Sequence, residues 1–572
     1  MFTDMSHLPL QHINGESLTD EQRKYLDGFF AGLAAQGVSF GDAEPVPAGG
    51  KKISLDDLIF EERVKHERHP LDAYEQILEN AATNKAPDKE EIFRFKWNGL
   101  FFLTPNKEAF MARLRIPGGL LKTFQLRELA GMAKDLTSGY VQITTRANLQ
   151  MRLIQPKDCP EFLRRVQSVG LHTRGSGADN IRNLTANPTA GIDPHELMDV
   201  MPLCQELGQI IINDRSFYDL PRKFNIAYDG GGLIGTVEDT NDVGAKAVKV
   251  GDEVFFRIAL GGATGHKVFA RDLGVLVKPA ELNKVIVALV RVYIANGNRG
   301  DRKKARLKHL LESWSLEKYL GETEKLLGGR LQRAPADLEP GQADVKLPHS
   351  HIGVYAQKQS GLNYVGVAMP VGQITAKQML RVAEIADLYG SGEIRLTVWQ
   401  NFIIPNVPDA YVETVKKALR KTGFDTRQSL LRGGLIACTG NSYCKHAQTN
   451  TKGQALELAD YLEKRLALDL PINIHLTGCP NSCAQHYMGD IGLLGTKVRG
   501  EDGYHVFVGG GFGANQAVGR QIFSGVTVSD LKLTLERMLK GYLRRRASGE
   551  PFQKFTGRHD LNTLQAIFTN DE

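Results

Sequence analysis

The sequence predicts a mixed α/β fold, α+β in class, built from two related halves around a pseudo-twofold axis. Two observations lead there. At 572 residues the chain is too long for a single hydrophobic core, so several domains are expected. It also contains an internal duplication: "PGGLLKTFQLRELAGMAKDLTSGYVQITTRANLQ" from Pro117 aligns without a gap on "PVGQITAKQMLRVAEIADLYGSGEIRLTVWQNFI" from Pro370. Pro117, Gly119, Gln125, Ala130, Ala133, Gly139, Thr144 and Asn148 all meet identical residues in the second copy.

In chain order, "TDEQRKYLDGFFAGLAAQG" reads as a helix over about 19–37, capped by Thr19 and stopped by Gly37. "GDAEPVPAGGKK" follows as a Gly/Pro-rich linker. Each duplicated block reads as a turn, an amphipathic helix with Ala at close-packing positions, and a Gly-led strand. Two further echoes follow in the same order. "LPRKFNIAYDG" from Leu220 corresponds to "LPINIHLTGCP" from Leu470, and "ALGGATGHKVFAR" (259–271) corresponds to "VGGGFGANQAVGR" (508–520). The repeat is too long for a solenoid and suggests paired halves with a site between them. Residues 333–350 carry Pro and acidic residues without a hydrophobic period and read as a linker. The predicted partition is 1–54, 55–170, 171–332, 333–350, 351–428 and 429–572.

Composition narrows the function classes. Hydrophobic content of 42% and charged content of 24% are ordinary for a globular protein. A net charge of +6 suits an anionic substrate or acidic partner, and no long Lys/Arg tract points to nucleic acid. Six cysteines in so long a chain do not make a disulfide framework. The N-terminus resembles neither a signal nor a transit peptide, and no apolar run could span a bilayer. A reduced, soluble, cytoplasmic protein is expected.

Four cysteines form a pattern. "GLIACTGNSYCKHAQTNTK" holds Cys438 and Cys444 as C-x5-C, and "HLTGCPNSCAQHYMGDIGLLG" holds Cys479 and Cys483 as C-x3-C. The wide first gap disfavours zinc, whose ligand pairs sit closer, and suits the corners of a [4Fe–4S] cubane. Small residues at Gly440, Ser442, Gly478 and Ser482 let backbone approach such a cluster. Zinc, a redox disulfide and unrelated thiols remain alternatives. Cys159 and Cys204 stand outside the pattern.

C-x5-C followed by T-G-C-P-N-S-C resembles the ferredoxin-type nitrite and sulfite reductases, over about residues 55–565. The resemblance implies sirohaem coupled to a [4Fe–4S] cluster held by Cys438, Cys444, Cys479 and Cys483, with Cys483 bridging the two. It also implies that the duplicated blocks are ferredoxin-like half-domains beside two larger sirohaem and Fe–S domains.

Sirohaem carries many carboxylates, so its site needs converging cations. "MARLRIPGG" offers Arg113 and Arg115 on one strand face, "VQITTRANLQMRL" offers Gln142, Arg146 and Gln150, "DNIRNLTANP" offers Arg182, and "LPRKFNIAYDG" offers Arg222, Lys223 and Asn225. By family analogy Arg113, Arg182 and Lys223 line the substrate face, while Gln142, Arg146 and Gln150 hold the macrocycle, with Arg222, Arg271 and Arg520 as further candidates. The basic run "NRGDRKKARLKH" from Asn298 reads as a solvated helix, with Arg306 or Lys308 reaching a carboxylate as the minority reading.

Asn225 bears on the substrate: nitrite reductases of this family resemble "K-[FW]-N" here, sulfite reductases "K-F-K". A dianionic sulfite gains from a second ammonium, whereas monoanionic nitrite is served by an amide donor. "FRFKWNGLFF" also resembles the nitrite side.

The expected activity is six-electron reduction of nitrite to ammonium in nitrogen assimilation. Sulfite reduction on the same architecture is the alternative, an oxygenase of corrinoid biosynthesis shares the fold, and a zinc-stabilised binding protein is the remote reading. "GGGFGANQAVG" does not fit G-x-G-x-x-G, so electrons are expected from a separate ferredoxin or flavodoxin-like protein, docking on basic stretches such as 536–550. A monomer is expected.

Overall fold

A computed structural model of the protein describes residues 12–13, 16–17, 55–103, 108–335, 338, 351–427 and 430–569. Residues 1–54 form one unit and 55–572 another. In the first, a short antiparallel ladder joins His12–Ile13 to Glu16–Ser17. The expected helix over 19–37 and the linker after it lie outside the described residues, as does most of 333–350.

Among its described residues the second unit contains four five-stranded sheets. Two belong to the duplicated blocks. Thr123–Leu136 and Ala376–Tyr389 are the paired helices, each followed by a strand, Tyr140–Ile143 and Glu393–Leu396. Leu126, Leu129, Ala130 and Ala133 of the first helix are buried, as are Met379, Val382, Ala383 and Ala386 of the second. All eight belong to one core. The Ala positions keep both buried faces narrow enough for close helix packing.

The blocks also exchange strands. Leu120–Lys122 pairs with Glu393–Leu396 of the other block, and Gln373–Thr375 pairs with Tyr140–Ile143. Two glycines permit the crossing. A Cβ on Gly119 would stand 2.7 Å from the Leu396 carbonyl oxygen, and one on Gly372 would stand 2.6 Å from that of Ile143. Both have positive φ, 73° and 67°, which glycine adopts freely. The Pro-x-Gly identity in both copies thus marks a backbone crossing.

The other two sheets share a second plan. Ile226–Asp229 runs parallel to Val243–Val250, which continues antiparallel to Glu253–Leu260 and Arg271–Val277. Ile474–Thr477 runs parallel to Ile491–Val498, which continues into Glu501–Val508 and Arg520–Thr527. The registers Ile226↔Val243 and Ile474↔Ile491 make Asn225 the counterpart of Asn473. This corrects the alignment of Leu220 on Leu470 by two positions. No helix among the described residues is long and apolar enough to cross a membrane.

Candidate active site

The four cysteines lie after the ends of neighbouring strands. Leu435–Ala437 runs parallel to Ile474–Thr477, so the loops bearing Cys438 and Cys479 leave the sheet side by side. Cys438 N–H donates to the Leu476 carbonyl at 3.0 Å, and Gly478 N–H donates to Cys438 Sγ at 3.2 Å. That second bond is the kind a thiolate ligand requires. Gly440 has positive φ, and a Cβ there would stand 2.9 Å from Thr451 N, so the loop closes only with glycine.

The thiols act on one another. Burial raises the Cys479 thiol above its usual range, and Cys444 and Cys438 raise it further. Cys483 is pushed up to about 11, first by burial and then by Cys438, while Lys223 pulls it back. Among the described residues, no three His, Cys, Asp or Glu side chains form a group sized for a single metal ion. Four sulfurs in one neighbourhood, with an N–H aimed at one of them, fit the corners of a cubane. Cys159 and Cys204 are buried elsewhere, and burial holds both thiols protonated.

Opposite Cys483 stands a group of cations. Cys483 keeps accessible surface although burial dominates its thiol, so that surface faces an enclosed space. Lys223 is brought down to about 7 by burial, then by Arg306, with Cys483 opposing. Arg146 is lowered to about 10 by burial; Asp242 opposes, and Arg306 and Arg113 add to the fall. Arg182 falls well below its usual value through burial and then Arg113. Arg113 donates to the Ser176 carbonyl at 3.2 Å and lies 4.7 Å from the Phe101 ring centroid. Arg182 donates to the carbonyls of Ser176 and Ala178 at 2.9 and 2.8 Å. Desolvated cations crowded this closely repel one another and call for a polyanion. The set fits sirohaem's carboxylates together with a small anionic substrate. Thr145 Oγ1 donates to the Cys483 carbonyl at 3.1 Å, tying the two loops together.

Asn225 lies one strand position from this group and is buried. Its backbone N–H donates to Asp242 Oδ2 at 2.9 Å, and its Oδ1 has no partner. Arg222 turns toward Asp179 at 3.4 Å.

Several sequence expectations change. Arg115 does not share the face of Arg113: it is 2% exposed and donates to the carbonyls of Arg174, Ile181 and Arg182, bracing the loop that carries Arg182. Gln142 and Gln150 face each other across the ladder, and both amide oxygens accept from Arg152. Arg271 is exposed and donates to the Leu311 carbonyl at 3.1 Å, while Arg520 donates to the carbonyls of Thr556 and His559. Their guanidiniums are committed to backbone and do not join the cationic group. The basic run from Asn298 is solvated only in part: Lys303 and Lys304 are exposed, but Arg299 pairs with Glu62 and Asp219, Arg302 with Asp179 and Glu61, and Arg306 with Asp242.

Asp242, Arg152 and Lys96 carry weight that the sequence did not disclose, and Arg306 reaches a carboxylate as the minority reading of the basic run had it. Lys96 sits within "FRFKWNGLFF" and is lowered to about 8 by burial, then by Arg302 and Lys445. It lies 5.4 Å from the ring centroid of Phe93, on which Arg302 also sits.

Comparison with known proteins completes the description. The family model "Nitrite and sulphite reductase 4Fe-4S domain" matches residues 177–331 and 433–562. The "Nitrite/Sulfite reductase ferredoxin-like half domain" model matches 104–169 and 355–422. The ferredoxin–nitrite reductase of Synechococcus elongatus is 37% identical, over 84% of this chain and 95% of that one. The chloroplastic ferredoxin–nitrite reductase of Arabidopsis thaliana is 34% identical, over 84% and 86%. A ferredoxin sulfite reductase of Mycolicibacterium paratuberculosis is 32% identical, over 88% and 95%. The solved structure of the Mycobacterium tuberculosis NirA protein superposes with a TM-score of 0.83 at 31% identity, over 89% of this chain and 97% of that one.

Proposed function

The chain belongs to the nitrite and sulphite reductase family, an oxidoreductase family that uses sirohaem and a [4Fe–4S] cluster, and from that premise we propose that it reduces nitrite to ammonium. The reaction takes six electrons and eight protons per nitrite, with two waters released. When bound, the two groups supply the iron that takes the substrate and the electrons that reduce it. Cys438, Cys444, Cys479 and Cys483 would hold the cluster, with Cys483 on the side of the cationic group that would take the sirohaem. Arg146 and Arg222 would neutralise macrocycle carboxylates. The amide N–H groups of Gln142 and Gln150 can add to this, since only their oxygens are taken by Arg152.

Arg113 and Arg182 bind the substrate's oxygens and stabilise negative charge as N–O bonds weaken. Lys223 releases its proton near neutrality, so it can donate and be reprotonated within a turnover. Nitrogen assimilation is the physiological setting, and a ferredoxin-like protein the electron donor; the relatives named for that donor support this. The domain boundaries proposed are those between the half-domains and the two larger sheets, near residues 170 and 428.

Nitrite is favoured over sulfite by Asn225. Arg306 already occupies Asp242, which bonds the Asn225 backbone, and the Asn225 Oδ1 has no partner; the side chain is a neutral amide near Lys223, where a dianion would need another cation. The test is a paired assay on purified holoenzyme with one artificial reductant, quantifying ammonium from nitrite and sulfide from sulfite. Nitrite is expected to give at least tenfold the kcat/KM of sulfite, and N225K should narrow that ratio at least tenfold. Equal turnover of both acceptors by the parent would defeat the assignment.

A further inference from the structure

Two cations beside the cysteine loops, one buried and one half-buried, take no part in this chemistry. Arg152, in the strand Leu149–Ile154, is 2% exposed. Its guanidinium donates to Gln142 Oε1, to Gln150 Oε1 at 2.5 Å and to Thr439 Oγ1 at 2.7 Å. It also lies 5.7 Å from the ring centroid of Tyr443. Thr439 follows Cys438, and Tyr443 precedes Cys444. Lys452 approaches the same loop from the helix Thr451–Glu463, donating to the carbonyls of Ala437 at 3.3 Å and of Val371. Ala437 precedes Cys438.

The acceptors of both side chains are neutral oxygens, and among the described residues no carboxylate forms an ion pair with either. The ionisable groups acting most strongly on Arg152 are Tyr140, Arg113, Tyr443 and Cys444; those on Lys452 are Arg152 and Cys438. Arg113, Arg146 and Arg182 of the cationic group also hold neutral oxygens and await the anions of their own site, whereas Arg302 and Arg306 each hold an aspartate. An unpaired guanidinium costs several kcal/mol to bury, and Arg152 Nε has no acceptor at all. Such a position is retained where an anion is brought to it. A cubane on four thiolates is a net anion, and each electron it accepts adds one negative charge.

We propose that Arg152 and Lys452 are the counter-charges of the iron–sulfur cluster, and that they raise its reduction potential by opposing the charge of the incoming electron. This rests on the assignment of the cluster to Cys438, Cys444, Cys479 and Cys483. Gln142 and Gln150 are then positioning residues, whose amide oxygens hold the Arg152 fork against the cluster loop. Arg152 reaches the loop through Thr439 and Tyr443, and Lys452 through Ala437, so the two charges flank the Cys438 segment.

The experiment is a potentiometric titration of holoenzyme with dithionite and mediators. The reduced cluster is read by electron paramagnetic resonance, and the sirohaem by its absorption. R152M and K452M should each shift the cluster's one-electron reduction equilibrium at least tenfold toward the oxidised form, about 59 mV lower for a single electron. R152K keeps the charge and disturbs the fork, and should stay within threefold of the parent. An R152M equilibrium within threefold of the parent, or an R152K shift as large as that of R152M, overturns the proposal. If removing either charge empties the cluster site, retention of the cluster by R152K supports the counter-charge role, and its loss there overturns it. A parent lacking the cluster signal would bring down the cluster assignment itself, and is told apart because it needs no variant.

Discussion

Asn225 and Asn473 occupy the same place in the two halves, and their neighbours show how duplication made a site. In the second half Asp490 accepts from the Asn473 backbone at 2.9 Å and from its amide at 2.7 Å. In the first half Asp242 accepts from the Asn225 backbone, but Arg306 takes its remaining capacity at 2.8–3.2 Å. The same backbone bond survives in both; the side chain is tied down in one half and released in the other. Asp490, with no cation, is pushed up by burial to about 7 from an ordinary 3.8. The folded chain therefore holds a proton there that the unfolded chain has lost, and stability falls as pH rises from about 4 through 7. D490N should remove that loss: equal to the parent at pH 4, and more stable by up to about 4 kcal/mol at pH 8. Denaturant unfolding of parent and variant at both pH values measures it; an unchanged difference between them would refute the buried-acid account. The cysteines and most cations were legible because spacing or residue type marks them. Asp242 as the partner of Arg306 was not, since Asp242 belongs to no motif and the fold alone joins the two.

At the scale of elements, the period of apolar residues and the internal duplication carried most of the information. Thr375 shows a complete start signal: its Oγ1 accepts from Gln378 N–H at 3.3 Å, and Gln378 Oε1 accepts from the Thr375 N–H at 3.0 Å. Lys122, at the matching place, has no acceptor to offer; only Gln125 reaches back, to the Lys122 N–H at 3.0 Å. T375A should therefore cost about 1 kcal/mol, and T375S should recover most of it, as read from denaturation midpoints at constant slope. Equal losses in both variants would show that the methyl group matters, and not the hydroxyl. The strand exchange was not legible: a three-residue strand carries too little alternation to name its partner. The two-position slip in aligning Leu220 with Leu470 arose because the Leu-Pro pairs precede the strands, where the two loops differ in length.

For the whole molecule, length and duplication disclosed two halves, while the loops that join them were hidden because loop-to-loop contacts leave no periodic trace. The division of labour between the halves has a consequence. All four cysteines follow strands of the sheet containing Ile474–Thr477, whereas Arg113, Arg146, Arg182 and Lys223 come from the other half of the chain. All the thiolates that would hold the cluster thus come from one half, whereas a sirohaem site would draw its cations from the other and depend on both held together. Asp239 is one of the ties: its Oδ2 accepts from Gly513 N–H at 2.9 Å and from Gln516 Nε2 at 2.8 Å. Beside it, Gln485 Nε2 donates to Thr240 Oγ1 at 3.3 Å. Burial raises the Asp239 carboxyl, but the two donors oppose that rise, so the tie stays ionised more readily than burial alone would allow. D239A removes an acceptor and leaves two donors without a partner, about 1–3 kcal/mol of coupling between the halves. The expected result is selective: sirohaem per chain should fall severalfold by absorption, while the cluster signal per chain stays at the parent's level. Equal loss of both would mean that the cluster too depends on the joined halves, and retention of both would mean that Asp239 does not hold the site closed.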